Sequence, residues 1–283
     1  MQTALNPSPI MIQMYGRTSL SYKEQVMRKT ALITGASSGL GLEFARIYAR
    51  EGYDLIVIAR SEGKLYKLKN ELENAHRCRV HVLAQDLSCP DAAYEIYNAV
   101  LERRLTVDAL VNNAGFGDFG RFWEGDAQRQ NDLLQVNIMT LVQLTRYFLP
   151  CMIARGHGSV LNLSSVAAFS AGPGMSLYYA SKAFIRSFSE AAAEEVRGTG
   201  VTVTALCPGP TATGFEQAAQ MKGSHMFSMF RPASARAVAE AGFRAAQKGK
   251  ALRYYGWSTH AVNIAAHLLP RSVLRKFMKK VNG

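Results

Sequence analysis

The sequence predicts an α/β fold of the doubly wound type: one domain with a parallel sheet of about seven strands and helices on both faces. Three observations carry this prediction. Short apolar runs alternate with longer amphipathic stretches, a strand–helix repeat seen about six times after residue 30. The short runs are apolar throughout, as strands covered on both faces require. A glycine-rich turn stands between the first run and the helix behind it.

The strands are expected at Ala31 to Thr34, Leu55 to Ile58, Val80 to Leu83, Ala109 to Val111, Val160 to Leu163 and Val201 to Leu206. Helical stretches are expected between them at Gly39 to Glu51, Ala92 to Arg104, Leu133 to Met152 and Leu177 to Arg197. A further one is marked by Leu65, Leu68 and Leu72, which share one helical face while Lys64, Lys67, Lys69 and Glu71 turn mostly outward. Right-handed crossovers between parallel strands then place helices on both faces. No shift in composition marks a second domain, so residues 27–283 read as one unit. Residues 1–26 carry Pro7, Pro9, Gly16 and no periodicity, and read as a loose arm or as sequence ahead of a start at Met27.

Composition narrows the function classes. The chain has 283 residues, 48% of them apolar, which is ample for a large core. Charged residues make up 19%, and no low-complexity tract appears, which excludes a disordered chain except at the ends. The net charge of +12 suits an anionic cofactor, nucleic acid or an anionic membrane surface. Outside the C-terminus the basic residues are scattered, without zinc-finger spacing or a basic heptad region, so nucleic-acid binding is not expected. Cys78, Cys89, Cys151 and Cys207 form no CxxC pair and read as reduced thiols of a cytoplasmic protein. No apolar run of membrane-spanning length and no signal peptide are read. The six histidines are dispersed, and no metal site is expected.

The first strand leads into Thr34-Gly35-Ala36-Ser37-Ser38-Gly39-Leu40-Gly41. Glycines let a backbone turn sharply and approach a pyrophosphate closely, and the helix end behind them offers N–H groups and a positive dipole to that anion. In dinucleotide folds an acidic residue about 20 residues further on binds the ribose 2′-hydroxyl of NAD. Here that place holds Ala59-Arg60-Ser61. Arginine pairs with a 2′-phosphate where aspartate would repel it, so Arg60 favours NADP(H), with NAD(H) kept as the alternative.

Tyr178 and Lys182 stand four residues apart on one predicted helical face. A free phenol has a pKa of about 10, and a nearby ammonium lowers it, so the spacing makes an acid–base pair. Hydride transfer to a carbonyl builds negative charge on its oxygen, which such a pair can neutralise. Tyr179 has Ala183 as its fourth neighbour and supplies no such pair.

Four blocks in order resemble the classical short-chain dehydrogenase/reductase family: the TGxxxGxG turn from Thr34 to Gly41, Asn112-Asn113-Ala114-Gly115, Tyr178-Tyr179-Ala180-Ser181-Lys182, and Pro208-Gly209. The resemblance spans about residues 28–256. The segments Pro208-Gly209-Pro210-Thr211 and Leu268-Leu269-Pro270-Arg271-Ser272 resemble a bacterial branch whose members are described as dehydrogenases of unknown specificity. The family has a Rossmann domain, and the resemblance assigns roles. Tyr178 would be the general acid in reduction and the base in oxidation. Lys182 would bind the nicotinamide ribose and depress the tyrosine pKa. Ser165 would hydrogen-bond the substrate oxygen, and Asn137 would support a proton-relay water. Asp86 and Leu87 would contact adenine. Asn112, Asn113, Ala114 and Gly115 would border the cofactor, and Pro208, Gly209, Thr211 and Thr213 would lie near the nicotinamide carboxamide. The family's basic residue before the second glycine is replaced by Ser38.

The substrate expected is a small carbonyl compound or its alcohol. The resemblance implies a loop closing over the substrate at about 211–232, and its Met221, Met226, Phe227, Met229 and Phe230 point to an apolar one. A homodimer or homotetramer through the helices carrying Asn137 and Tyr178 is implied by the resemblance. The tail at about 268–283 reads as a basic helix packed on the domain, its lysines complementing its dipole; peripheral contact with an anionic membrane is the less favoured reading. The rival to an NADP(H)-dependent oxidoreductase is a non-catalytic NADP(H)-binding sensor or scaffold. The intact set of Ser165, Tyr178 and Lys182 separates the two.

Overall fold

The computed structural model describes residues 28–215, 219 and 232–282. Seven parallel strands form the main sheet: β1 (Thr30–Thr34), β2 (Asp54–Ala59), β3 (Val80–Ala84), β4 (Ala109–Asn112), β5 (Gly158–Leu163), β6 (Val201–Pro208) and, after the two-residue pair β7 (Thr211–Ala212) and β8 (Ala233–Ser234), β9 (Leu252–Tyr255). Their order is β3-β2-β1-β4-β5-β6-β9. The chain runs outward from β1 to β3, then crosses back so that β4 lies on the other side of β1. This reversal opens a crevice beyond the carboxyl ends of β1 and β4, the place where doubly wound sheets bind ligands.

Alternate residues of each strand serve opposite faces. Ala31, Ile33, Leu55 and Val57 pack with Phe44, Tyr48, Leu65, Leu72 and Val238. These come from α1 (Gly39–Arg50), α2 (Glu62–His76) and, through Val238, the later helix over Ala235–Gln247. Leu32, Ile56, Leu110 and Val160 pack with Ile96, Leu144, Phe148 and Ala192 on the opposite face. These come from α3 (Ala92–Glu102), α5 (Thr140–Arg155) and α6 (Ser176–Glu195). Each fully buried Leu or Ile contributes roughly 1.5–3 kcal/mol of transfer free energy, so the two faces hold the fold together.

The helix expected from Leu133 begins earlier. Asp126 accepts from the Arg129 backbone N–H at 2.6 Å and caps α4 (Ala127–Leu134). A π-helical turn over Gln135–Met139 joins α4 to α5. The passage Ala127–Arg155 is long and apolar enough to cross a membrane by length and composition, with a mean hydropathy of 1.2 over its most apolar window. Its Leu144, Phe148 and Met152 are nevertheless buried in the core under the sheet.

Beyond β8 come α7 (Ala235–Gln247), β9, α8 (Trp257–Leu268) and α9 (Arg271–Asn282). The basic helix expected at about 268–283 is α9, which starts at Arg271. Leu268 ends α8, Leu269 is extended (φ −94°, ψ 146°), and α9 starts after Pro270. Proline bars the residue before it from the helical region, which forces the break. The expected arm over 1–26, and Met221, Met226, Phe227, Met229 and Phe230 of the expected covering loop, lie outside the described residues.

Candidate active site

The crevice holds a cavity of about 790 Å³, walled by the ends of β1, β4, β5 and β6. Its first wall is the turn between β1 and α1. Gly35 and Gly39 adopt φ of +68° and +56°, where a side chain would be strained. A Cβ on Gly41 would fall 2.2 Å from the Gly35 carbonyl, so α1 rests directly on the turn. Ser38 caps α1 without a side-chain bond to it, leaving the first-turn N–H groups available to an anion. Gly35, Ser37, Ser38, Gly39 and Leu40 line the cavity, whereas Thr34 and Gly41 lie behind it. Thr34 Oγ1 accepts from the backbone N–H groups of Asn113 and Ala114, both at 3.0 Å, and latches β1 to the end of β4.

At one end of the cavity stand Arg60, Asp86 and Leu87. Arg60 is exposed at the carboxyl end of β2. Burial pushes the Asp86 carboxyl up, but hydrogen bonds from the Ser88 backbone and hydroxyl, with the Arg60 charge, hold it below its usual value.

Asn113, Ala114 and Gly115 line the floor. Asn113 Nδ2 donates to the Thr34 carbonyl at 2.9 Å. Asn112 corrects the expectation that it borders the cofactor. It is buried under the sheet, where Nδ2 donates to Asn162 Oδ1 at 2.9 Å and Asn162 donates to Ser189 Oγ at 2.9 Å. A strand side chain next to a cavity-facing one points to the opposite face. This polar chain ties β4 and β5 to α6.

α6 carries Tyr178 and Lys182 to the cavity, and Ser165, just after β5, lines it too. The Lys182 ammonium lies 5.6 Å from the Tyr178 ring centroid and donates to the Leu163 carbonyl at 2.8 Å. Burial lowers its pKa to about 8. The Tyr178 phenol is pushed up to about 12 by burial, against a hydrogen bond with the Ser165 side chain that favours the phenolate. The resemblance implied a phenol depressed by Lys182. Here burial is the largest influence on both groups, because a low-dielectric wall disfavours each ion. Ser164 does not share the role of Ser165: its hydroxyl donates to the Lys182 carbonyl at 2.8 Å and braces the helix.

Asn137 sits in the π-helical turn and does not reach the cavity lining. Its Nδ2 donates to the Phe116 carbonyl and to Ser181 Oγ, both at 3.0 Å, and its Oδ1 accepts from the Phe116 N–H. A Cβ on Gly115 would meet both Asn137 Oδ1 and Lys182 Nζ, at 2.9 and 3.4 Å, so these groups converge behind that glycine. Pro208, Gly209, Thr211 and Thr213 form the last wall. Thr213 packs on Gly39, its Cβ 3.0 Å from where a glycine side chain would begin.

Sequence reasoning missed Phe116, Arg129, Val136 and Met175 in this wall. Arg129 Nε donates to Asp118 at 2.8 Å, and its guanidinium lies 5.2 Å from the Phe116 ring centroid. No local pattern marks these residues. Only Asp126, a helix-capping residue before Ala127, signalled the start of the helix that carries Arg129.

The model of the short chain dehydrogenase family matches residues 29–223, which include every element that builds this cavity through Phe215. The chain belongs to the short chain dehydrogenase family. Among relatives of this short chain dehydrogenase, sulfoacetaldehyde reductase 2 of Chromohalobacter salexigens is 37% identical over 191 residues, 67% of this chain and 75% of that protein. A short-chain dehydrogenase from Sphingobium yanoikuyae solved in complex with NADPH superposes with a TM-score of 0.75 at 27% identity, covering 84% of this chain and 93% of the other. A short chain dehydrogenase/reductase from Burkholderia phymatum in complex with NAD gives a TM-score of 0.74 at 27% identity, covering 90% and 96%.

Proposed function

We propose that this family member is an NADP(H)-dependent oxidoreductase that reduces a ketone or aldehyde, or oxidises the matching alcohol. The observation that carries the reading is the convergence of Tyr178, Ser165 and Lys182 on one cavity whose far end presents Arg60. The residues present fit a dinucleotide: the glycine cradle leaves no room for side chains, and the N-terminus of α1 faces the cavity. The turn and α1 would hold the pyrophosphate, Asp86 and Leu87 the adenine, and Lys182 the nicotinamide ribose. Arg60 would pair with a 2′-phosphate, which favours NADP(H) over NAD(H). When bound, the cofactor supplies a hydride to the carbonyl carbon or accepts one from the alcohol.

Tyr178, protonated at neutral pH because its pKa stands at about 12, gives its proton to the carbonyl oxygen. Ser165 orients that oxygen by a hydrogen bond. Lys182 places a cation beside the phenol as negative charge develops. Asn137 is a positioning residue that holds the Phe116 backbone and Ser181. The apolar residues Ala167, Met175 and Phe215 cluster with Tyr178, and Phe116 and Val166 also line the cavity, which favours an apolar carbonyl compound. Met139, Ile153 and Phe184 are exposed on the helices that carry Asn137 and Tyr178, a surface suited to self-association.

Fluorescence titration of the purified protein with NADPH and NADH, followed by a panel of ketones and aldehydes, tests the reading. Tight NADPH binding with oxidation by a panel member, lost in Tyr178→Phe while NADPH still binds, supports it. Binding with full turnover in Tyr178→Phe overturns the mechanism. Failure of the folded protein to bind either nucleotide overturns the function.

A further inference from the structure

We propose that the α8–α9 hairpin is a docking surface for an anionic lipid bilayer. α8 carries an outward stripe at helical spacing, Trp257, Ile264 and Leu268, exposed by 76%, 57% and 76%. Val273 and Phe277, one turn apart on α9 beyond the Pro270 break, are 49% and 47% exposed. Exposed apolar groups in single places are ordinary, but a row along two consecutive helices marks an interaction surface.

Charge selects the occupant. α9 also presents Arg271, Arg275, Lys276, Lys279 and Lys280 to solvent. No Asp or Glu stands anywhere after Glu240 in the sequence. Among the described residues none of these five cations forms an ion pair. A second copy seated on the same face by a two-fold axis would bring like charges together without an acidic counterpart. An anionic bilayer neutralises the cations and takes the tryptophan, leucine and phenylalanine side chains into its headgroup boundary.

The inner face of α9 is already committed. Leu274, Met278, Val281 and Asn282 are buried, with Met278 and Val281 in the cluster that holds Tyr178, Tyr179 and Phe215. The helix is thus seated on the domain by one face and free to meet a surface with the other. Deleting residues 271–283 would strip the catalytic wall along with the cations, so point substitutions on the outer face are the clean variants.

Flotation of the full chain with phosphatidylcholine vesicles, with and without about one-third phosphatidylglycerol, reads the interaction. Binding is expected to the anionic vesicles and to fall at least tenfold between about 0.1 and 1 M salt. Leu268→Ser with Phe277→Ser, and separately Lys276→Glu with Lys279→Glu and Lys280→Glu, should each reduce it at least tenfold with an unchanged thermal midpoint. In a Trp123→Phe background the Trp257 emission should shift to the blue on binding. Absence of vesicle binding by the folded chain overturns the proposal, as does binding that neither set of substitutions weakens. A concentration-dependent oligomer lost in Leu268→Ser with Phe277→Ser, without lipid binding, would instead assign the face to a second copy. None of these readouts uses turnover, so they stand apart from the activity assay.

Discussion

The Tyr179 phenol donates to Asn282 Oδ1 at 3.0 Å, joining residues 103 positions apart. Asn282 in turn donates from Nδ2 to the Pro173 carbonyl at 2.9 Å. The last turn of α9 is thereby pinned beside Tyr178. Tyr179→Phe leaves a buried Asn282 oxygen without its donor and should cost about 1–3 kcal/mol. Thermal unfolding of Tyr179→Phe, Asn282→Ala and the double variant checks this; a coupling below about 0.5 kcal/mol would dissociate the two residues.

The buried Lys182 ammonium carries a stability cost. Its folded pKa of about 8 lies below the 10.5 of a free lysine, so the unfolded chain binds more protons between those values. Stability from this group therefore rises as pH climbs from 8 to 10.5, and the buried ammonium is a burden below that window. Lys182→Met should abolish turnover and yet raise stability at neutral pH by about 1–2 kcal/mol, after the lost bond to Leu163 is counted. Denaturant midpoints across this pH range should show a rise in the wild type that the variant lacks.

Under the proposed mechanism, Tyr178 should give opposite pH trends in the two reaction directions. With the phenol pushed up to about 12 by burial, the protonated form dominates at neutral pH. Reduction should be flat in pH until the phenol ionises. Oxidation, which needs the phenolate, should gain about tenfold per pH unit through the same range. Steady-state rates measured in both directions with saturating cofactor check the trend; a flat oxidation profile would remove Tyr178 as the base.

Arg60 stands at the cavity end with no carboxylate in the position that reads a ribose 2′-hydroxyl. Arg60→Asp should weaken NADPH by about 1.5–3 kcal/mol, roughly 10- to 100-fold, and leave NADH little changed or improved. Paired titrations with both nucleotides decide it, and an unchanged preference would dissociate Arg60 from the 2′-phosphate.

The sheet was legible because its signal is local. Leu55 to Ile58 is apolar at every position, and β2 is buried at every position. β9 was not legible: Leu252-Arg253-Tyr254-Tyr255 mixes charge with aromatic residues, and each of its residues is only half-buried at the sheet edge. Asn137 was legible as a member of a set but not as a buried one. Its π-helical turn is decided by the groups it bonds, Phe116 and Ser181, which are remote in sequence.

The sequence by itself determined the doubly wound fold, the glycine-rich turn ahead of α1 and the pairing of Tyr178 with Lys182. Each rests on spacing between near neighbours, and backbone geometry converts such spacing directly into position. The tertiary structure decided what those groups experience. It half-buried Tyr178 and buried Lys182, so that desolvation dominates the pKa of each, withdrew Asn112 beneath the sheet, and divided the C-terminal segment into a pinned inner face and an exposed outer one. Burial and long-range contact depend on which distant elements close over a residue, and no short window of sequence contains both partners.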